Sequence, residues 1–189
     1  MIWLNELSLY ILDLVQNSIE AGATFVKIEI VEDLENDIFS ISIEDNGRGI
    51  PKELINEVTN PFYTTRKTRK VGLGLALASQ LAKDCNGKLF IESSENGTKV
   101  KIKLQHSHID RPPLGNIVDT LLLLICGAPD VDFVYVHRAD KKEFVFDTNK
   151  LKSVLGDDVP LNLPSVQEFI KEELSRGLSN LFGGANFND

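Results

Sequence analysis

The strongest constraint on this chain lies near its start, where the spacing of apolar residues changes abruptly. Over residues 4–21, Leu4, Leu7, Ile11, Leu14, Val15 and Ile19 recur three or four apart, which is one face of an amphipathic helix. Gly22 is a natural stop. Over residues 24–31 the spacing drops to two, with Val26, Ile28 and Ile30 on one side and Lys27 and Glu29 on the other. That alternation predicts a half-buried strand. A second strand is expected over 38–44, after the acidic turn 32–37.

The glycine loop DNGRGI follows, with Pro51 at a first helical position. Residues 59–71 are polar and basic without periodicity and read as a loop. A helix is expected over 72–85, ended by Asn86-Gly87. Strands at 88–93 and 98–104 then form a hairpin about Glu95-Asn96-Gly97. The order is helix, two strands, glycine loop, helix, two strands. Strands joined as hairpins predict an α+β fold, a two-layer sandwich with a mixed, mostly antiparallel sheet and helices on one face. The polar stretch 106–113, with its Pro112-Pro113 pair, places a boundary after His108. Residues 109–189 then read as a small α/β domain of unassigned role. It has a helix at 114–126, a hairpin at 132–137 and 143–147, a short helix from Asn149 and a longer one at 165–181. The tail from Gly183 reads as loose.

Composition narrows the function classes. Hydrophobic residues are 42% and charged residues 25%, enough apolar material for a sizeable core. The net charge is −8, and neither part of the chain has the basic surplus that neutralising many phosphates requires, which argues against nucleic acid. The two cysteines, Cys85 and Cys126, show no CxxC or Cys/His ligand spacing and read as reduced thiols. The N-terminus is apolar but carries Glu6 and Asp13 and lacks a basic leader. The longest apolar run, 117–128, contains Asp119 and is too short to span a bilayer. A cytoplasmic protein with no membrane contact is expected.

Three short segments carry chemistry. In LDLVQNSIEAGAT, Asp13 and Asn17 are four apart on a helix and share a face, so the Asn17 amide oxygen and the Asp13 carboxylate look into the same space. In Asp45-Asn46-Gly47-Arg48-Gly49-Ile50, an acid at a strand end is followed by two glycines. The glycines let backbone approach a planar ligand, and the carboxylate accepts a hydrogen bond from an exocyclic amine. In Val71-Gly72-Leu73-Gly74-Leu75, glycines open a helix and expose its N–H groups and positive dipole end to phosphate oxygens. Singly, each has an ordinary structural explanation: a common turn, close helix packing, an exposed polar residue. Their joint occurrence in this order on a matching layout is what points to one nucleotide site.

The set resembles the GHKL superfamily of gyrase, heat-shock chaperone, histidine kinase and mismatch-repair ATPases, whose fold is the Bergerat type. LVQNSIEAGAT resembles the Asn box of the mismatch-repair ATPases, and DNGRGI the DxGxG box. NPFYTTRK and GLGLALASQLAK resemble the phenylalanine box and second glycine box of histidine kinases, and Gly97-Thr98 the small GT element. The resemblance implies ATP/ADP and Mg²⁺ as cofactors. It implies that Asn17 coordinates the metal, and that Asp45 holds the adenine amine with Thr98 in support. It puts Gly47, Gly49 and Ile50 beside the base, Gly72, Leu73, Gly74 and Leu75 at the lid hinge and phosphates, and Thr64, Thr65, Arg66 and Lys67 in the lid. Two departures stand out. Lys70 and Val71 precede GLGL where a further glycine is usual. Asp13 occupies the place of the usual glutamate, one methylene shorter, as candidate catalytic base for the attacking water or acceptor.

No histidine sits in a phosphoacceptor pattern on a helix. His106, His108 and His137 read as ordinary polar positions. The expected function is therefore an Mg-dependent ATP-binding regulator, kinase-like and acting on or with a protein partner. A slow ATPase coupled to homodimerisation and a nucleotide-controlled binding module without turnover are the alternatives. A looser resemblance, carried by VGLGLALASQLAK, HIDRPPLG and DFVYVHR, is to stand-alone ATP-binding proteins associated with iron-only hydrogenase systems. It implies a redox-linked regulatory partner.

Overall fold

The computed structural model describes residues 5–55, 73–156 and 159–183. The periodic segment near the start forms α1 (Leu7–Glu20), which buries Leu7, Tyr10, Ile11, Leu14 and Val15. The first amides of a helix have no partner within it. Here the Leu7 and Ser8 N–H groups donate to the carbonyls of Pro113 and Leu114, both at 2.9 Å. The alternating segments form β1 (Phe25–Asp33) and β2 (Ile38–Asp45), followed by the short α2 (Lys52–Ile55). Next come α3 (Leu73–Asp84) and the hairpin of β3 (Lys88–Ser94) and β4 (Gly97–Gln105). The remaining elements are α4 (Ile117–Gly127), β5 (Asp132–Ala139), β6 (Lys142–Asp147), α5 (Thr148–Leu155) and α6 (Pro164–Leu181). The expected loop at 59–71 and most of the expected tail lie outside the described residues.

The six strands form one sheet in the order β3-β4-β2-β1-β5-β6. β1 and β5 pair in parallel and every other pair is antiparallel, the mixed, mostly antiparallel α+β arrangement the sequence predicts. The boundary expected after His108 falls between β4 and α4, and the hairpin beyond it continues the same sheet through β1. On one face Val26, Ile28 and Ile30 align with Ile43 and Ile41 of β2 and with Phe133 and Tyr135 of β5. All of these are buried in one core with residues of α1, α3, α4, α5 and α6. Burial of a side chain such as Ile28 contributes about 1.5–3 kcal/mol. The other face carries charge, with Lys27 and Arg138 both paired to Glu29 and Lys99 paired to Glu44.

A polar network joins β1 to the C-terminal hairpin. The Glu32 carboxylate contacts His137 Nε2 at 2.8 Å and His106 Nε2 at 3.1 Å, and His137 Nδ1 lies 2.8 Å from the Tyr135 hydroxyl. His137 is fully buried and Tyr135 nearly so, so His137 is not the ordinary polar position its sequence context suggests. The structural reason is the register, which aligns His137 with Ile30 on the core side of the sheet. Burial alone would raise the Glu32 carboxyl, but hydrogen bonds from His137 and His106 outweigh it and hold the group below its ordinary value. No helix among the described residues is long and apolar enough to cross a membrane.

Candidate functional site

Asp45 closes β2, the strand between β1 and β4, and its carboxylate is held from three directions. Oδ2 accepts from Ser18 Oγ at 2.6 Å, and Oδ1 accepts from the backbone N–H of Gly47 at 2.9 Å and of Thr98 at 3.3 Å. A carboxylate offers about four lone-pair sites, so three donors fix its orientation and leave one for a ligand. Thr98 is itself oriented. Ser93 Oγ accepts from the Ile50 N–H at 2.7 Å and donates to Gly97 O at 3.2 Å. With the single Ser93 proton used there, the Thr98 hydroxyl donates across the 2.8 Å contact to Ser93, and its oxygen stays an acceptor beside Asp45.

The turn after β2 is fastened on both sides. Asn46 Oδ1 accepts from the N–H groups of Thr24 and Phe25, each at 2.9 Å, and Asn46 Nδ2 donates to Thr24 Oγ1 at 2.9 Å. The Arg48 N–H donates to Ala21 O at 3.1 Å, so the loop rests against the end of α1. Gly49 has φ +71°, and a Cβ there would fall 1.8 Å from the Ser94 carbonyl oxygen. Both the left-handed backbone and the close approach exclude a side chain at this position.

On α1, Asp13 is exposed and Asn17 is half-buried on the same side of the helix. The opening turn of α3 meets them. A Cβ on Gly74 would sit 1.6 Å from Asp13 Oδ2 and 3.6 Å from Asn17 Nδ2, so the glycine lets α3 begin directly against the two α1 side chains. The first N–H groups of α3, which have no partner within the helix, and the positive end of its dipole therefore stand beside a carboxylate and an amide oxygen. An amide oxygen with a nearby carboxylate suits a hard cation such as Mg²⁺, which is usually held by one or two protein oxygens plus phosphates. No group of three His, Cys, Asp or Glu suited to hold a metal occurs among the described residues.

Asn17, Asp45, Gly49, Ile50, Leu75 and Thr98 line one cavity of about 240 Å³. Gly47 lies behind it, donating to Asp45 and packed against Ala21. Asp13 and Gly74 meet in an adjoining apolar groove. The backbone of Leu73 opens α3. Thr64, Thr65, Arg66, Lys67 and Gly72 lie outside the described residues. The structure adds residues that the sequence reading passed over. Ser18 and Ser93 fix the acceptors, and Glu20 and Arg48 face the cavity. Size does not single this cavity out, since one of about 920 Å³ lies at the opposite end of the sheet beside Glu32 and His106. Its chemistry does: an anchored carboxylate, a Gly-permitted backbone approach and a helix start converge there.

The family model for histidine kinase-, DNA gyrase B- and HSP90-like ATPases matches residues 4–108. A putative sensor histidine kinase NtrY-like protein of Rickettsia prowazekii is 34% identical over 101 residues, covering 53% of this chain and 16% of its own. Sporulation kinase A of Bacillus subtilis is 28% identical over 99 residues, covering 52% and 16%. The chain spans less than a fifth of the length of these curated relatives. Among solved structures, the N-terminal domain of a DNA repair protein matches 82% of this chain and 58% of its own, with a TM-score of 0.57 at 19% identity. That likeness of fold extends beyond the part matched by the family model. With more than half of its 189 residues matched by that family model, the chain belongs to the histidine kinase-, DNA gyrase B- and HSP90-like ATPase family.

Proposed function

We propose that the protein binds Mg-ATP in the Asp45 cavity and acts, as a kinase-like module, on or with a protein partner. The observation that carries this reading is the Asp45 carboxylate, held by Ser18, Gly47 and Thr98 with one acceptor position left for the exocyclic amine of adenine. Thr98 Oγ1 is a second acceptor for the same amine, directly or through one water. The glycine turn at 47–49 provides backbone clearance for the flat base. Asn17 supplies the amide oxygen for Mg²⁺, and the bound ion neutralises charge on the phosphates. The N–H groups at the start of α3 face those phosphates. Gly72, Leu73, Thr64, Thr65, Arg66 and Lys67 belong to the same proposal as hinge and lid.

Asp13 is the proposed base. It lies on the Asn17 side of α1 against Gly74, where it accepts a proton from the hydroxyl or imidazole that attacks the γ-phosphorus as the bond to the bridging oxygen breaks and ADP leaves. The same position serves a water molecule, so slow hydrolysis is the second reading, with a homodimer as its assembly. A cytoplasmic setting and a redox-linked partner complete the proposal. The test uses ATP labelled at the γ-phosphate with Mg²⁺ and the full chain, alone and with co-purifying proteins. Label that moves onto a partner, and no longer does so with Asp13→Asn, supports the kinase reading. Phosphate release by the protein alone supports the ATPase reading. Neither outcome, in a preparation that binds ATP, leaves a nucleotide-controlled binder.

A further inference from the structure

At the ends of α1 and α3 remote from the nucleotide corner lies another cavity, of about 660 Å³, within the range of small-molecule sites. Leu81, Ile109 and Pro112 supply apolar walls, and Tyr10, Asp84 and Asp110 supply polar ones. One of the polar groups is buried without a partner, and a second opens into the cavity. Tyr10 is 2% exposed and lines the cavity. Asp84 Oδ1 accepts from Gln80 Nε2 at 2.7 Å, but Asp84 Oδ2 is buried with no partner. Buried polar atoms almost always have a partner. The one cation on the wall among the described residues is partly engaged: Arg111 Nε donates to His106 O at 2.7 Å, its Nη1 donates to Pro112 O at 3.3 Å, and the guanidinium lies 5.0 Å over the Phe39 ring. With the Asp84 and Asp110 carboxylates against the one Arg111 guanidinium, the described lining of the cavity keeps a surplus of negative charge. Tyr10 reports the same field, since burial and the nearby Cys85 and Asp84 raise its hydroxyl above the ordinary value.

We infer that this cavity is a binding site for a small organic ammonium ion, its charge directed at Asp84 and the Tyr10 hydroxyl and its apolar body against Leu81, Ile109 and Pro112. The ammonium gives the Tyr10 oxygen a donor and compensates the Asp84 charge. The half-open apolar rim, with Ile109 95% exposed, accepts a hydrocarbon or aromatic group that bulk water would otherwise have to hydrate.

The test is titration calorimetry of the full chain with benzylamine, and with benzyl alcohol as its uncharged counterpart. Benzylamine gives a saturable heat and benzyl alcohol does not. Asp84→Asn and Tyr10→Phe each weaken benzylamine binding by at least about fivefold, the loss of one hydrogen bond. Tyr10→Phe keeps the ring packing and so reports even if Asp84→Asn fails to fold, and ATP binding by both variants checks that the nucleotide corner is intact. The inference is overturned if benzylamine gives no saturable heat, if benzyl alcohol binds as well, or if both variants bind benzylamine like the parent chain. A crystal grown with benzylamine that shows an ordered water only in the cavity would overturn it equally.

Discussion

Ser18 and Thr98 hold the Asp45 carboxylate from α1 and β4, so the proposed adenine acceptor depends on residues far apart in sequence. Asp45→Asn replaces part of that acceptor with a donor and forfeits a hydrogen bond to a charged group, about 1.5–3 kcal/mol, so ATP affinity falls roughly 10- to 150-fold in calorimetry. Ser18→Ala leaves the charge but removes one anchor. It costs about 1 kcal/mol of stability in denaturant unfolding and weakens ATP only a few-fold. Gly74→Ala puts a methyl group into Asp13 Oδ2. Phosphate release or transfer then drops more steeply than ATP binding, because about 1 Å of displacement at a reacting group costs on the order of 100-fold in rate. Asp45, Gly47, Gly49 and Gly74 were legible in the sequence because their spacing is local. Ser18 and Ser93 were not: a serine on a helix or an edge strand is ordinary until the fold brings it to Asp45 or Ile50.

At the scale of elements, α1 and β1 were legible from period alone, and their bounds agree with the apolar spacing to within a few residues. The joints between elements were not. The α1 amides are satisfied by carbonyls of Pro113 and Leu114, in a stretch the sequence marked as a boundary. Glu32 meets His106 and His137 through a parallel strand pairing that no local pattern encodes. The Glu32 network carries a pH dependence. Its carboxyl is held below the ordinary value, so in acid the unfolded chain takes up the proton first. The stability Glu32 contributes is complete above its unfolded value of about 4.3 and is lost as pH falls through the lower folded value. Unfolding midpoints measured in urea from pH 7 to pH 3 fall less steeply for Glu32→Gln than for the parent chain, from a lower plateau at pH 7. Parallel slopes would remove Glu32 from the acid response.

Across the whole molecule, a sheet that runs from β3 through β4, β2 and β1 to β6 makes the C-terminal residues structural neighbours of the proposed site. β1 shares its two edges between β2 and β5, so a chain ending at His108 would expose one of them, along with the α1 amides that Pro113 and Leu114 satisfy. An unpaired, flat, apolar strand edge invites association, and gel filtration of that fragment should show aggregate or a large loss of unfolding midpoint. A cooperative monomer of unchanged stability would mean that residues 109–189 contribute nothing to it. The central claim is that the Asp45 cavity is where adenine binds. Titration calorimetry of the full chain with ATP and Mg²⁺ tests it most directly: a saturable heat in the parent chain, lost or weakened at least about tenfold in Asp45→Asn, is the predicted result. Absence of heat with ATP or ADP in a folded preparation, or equal binding by Asp45→Asn, would contradict it.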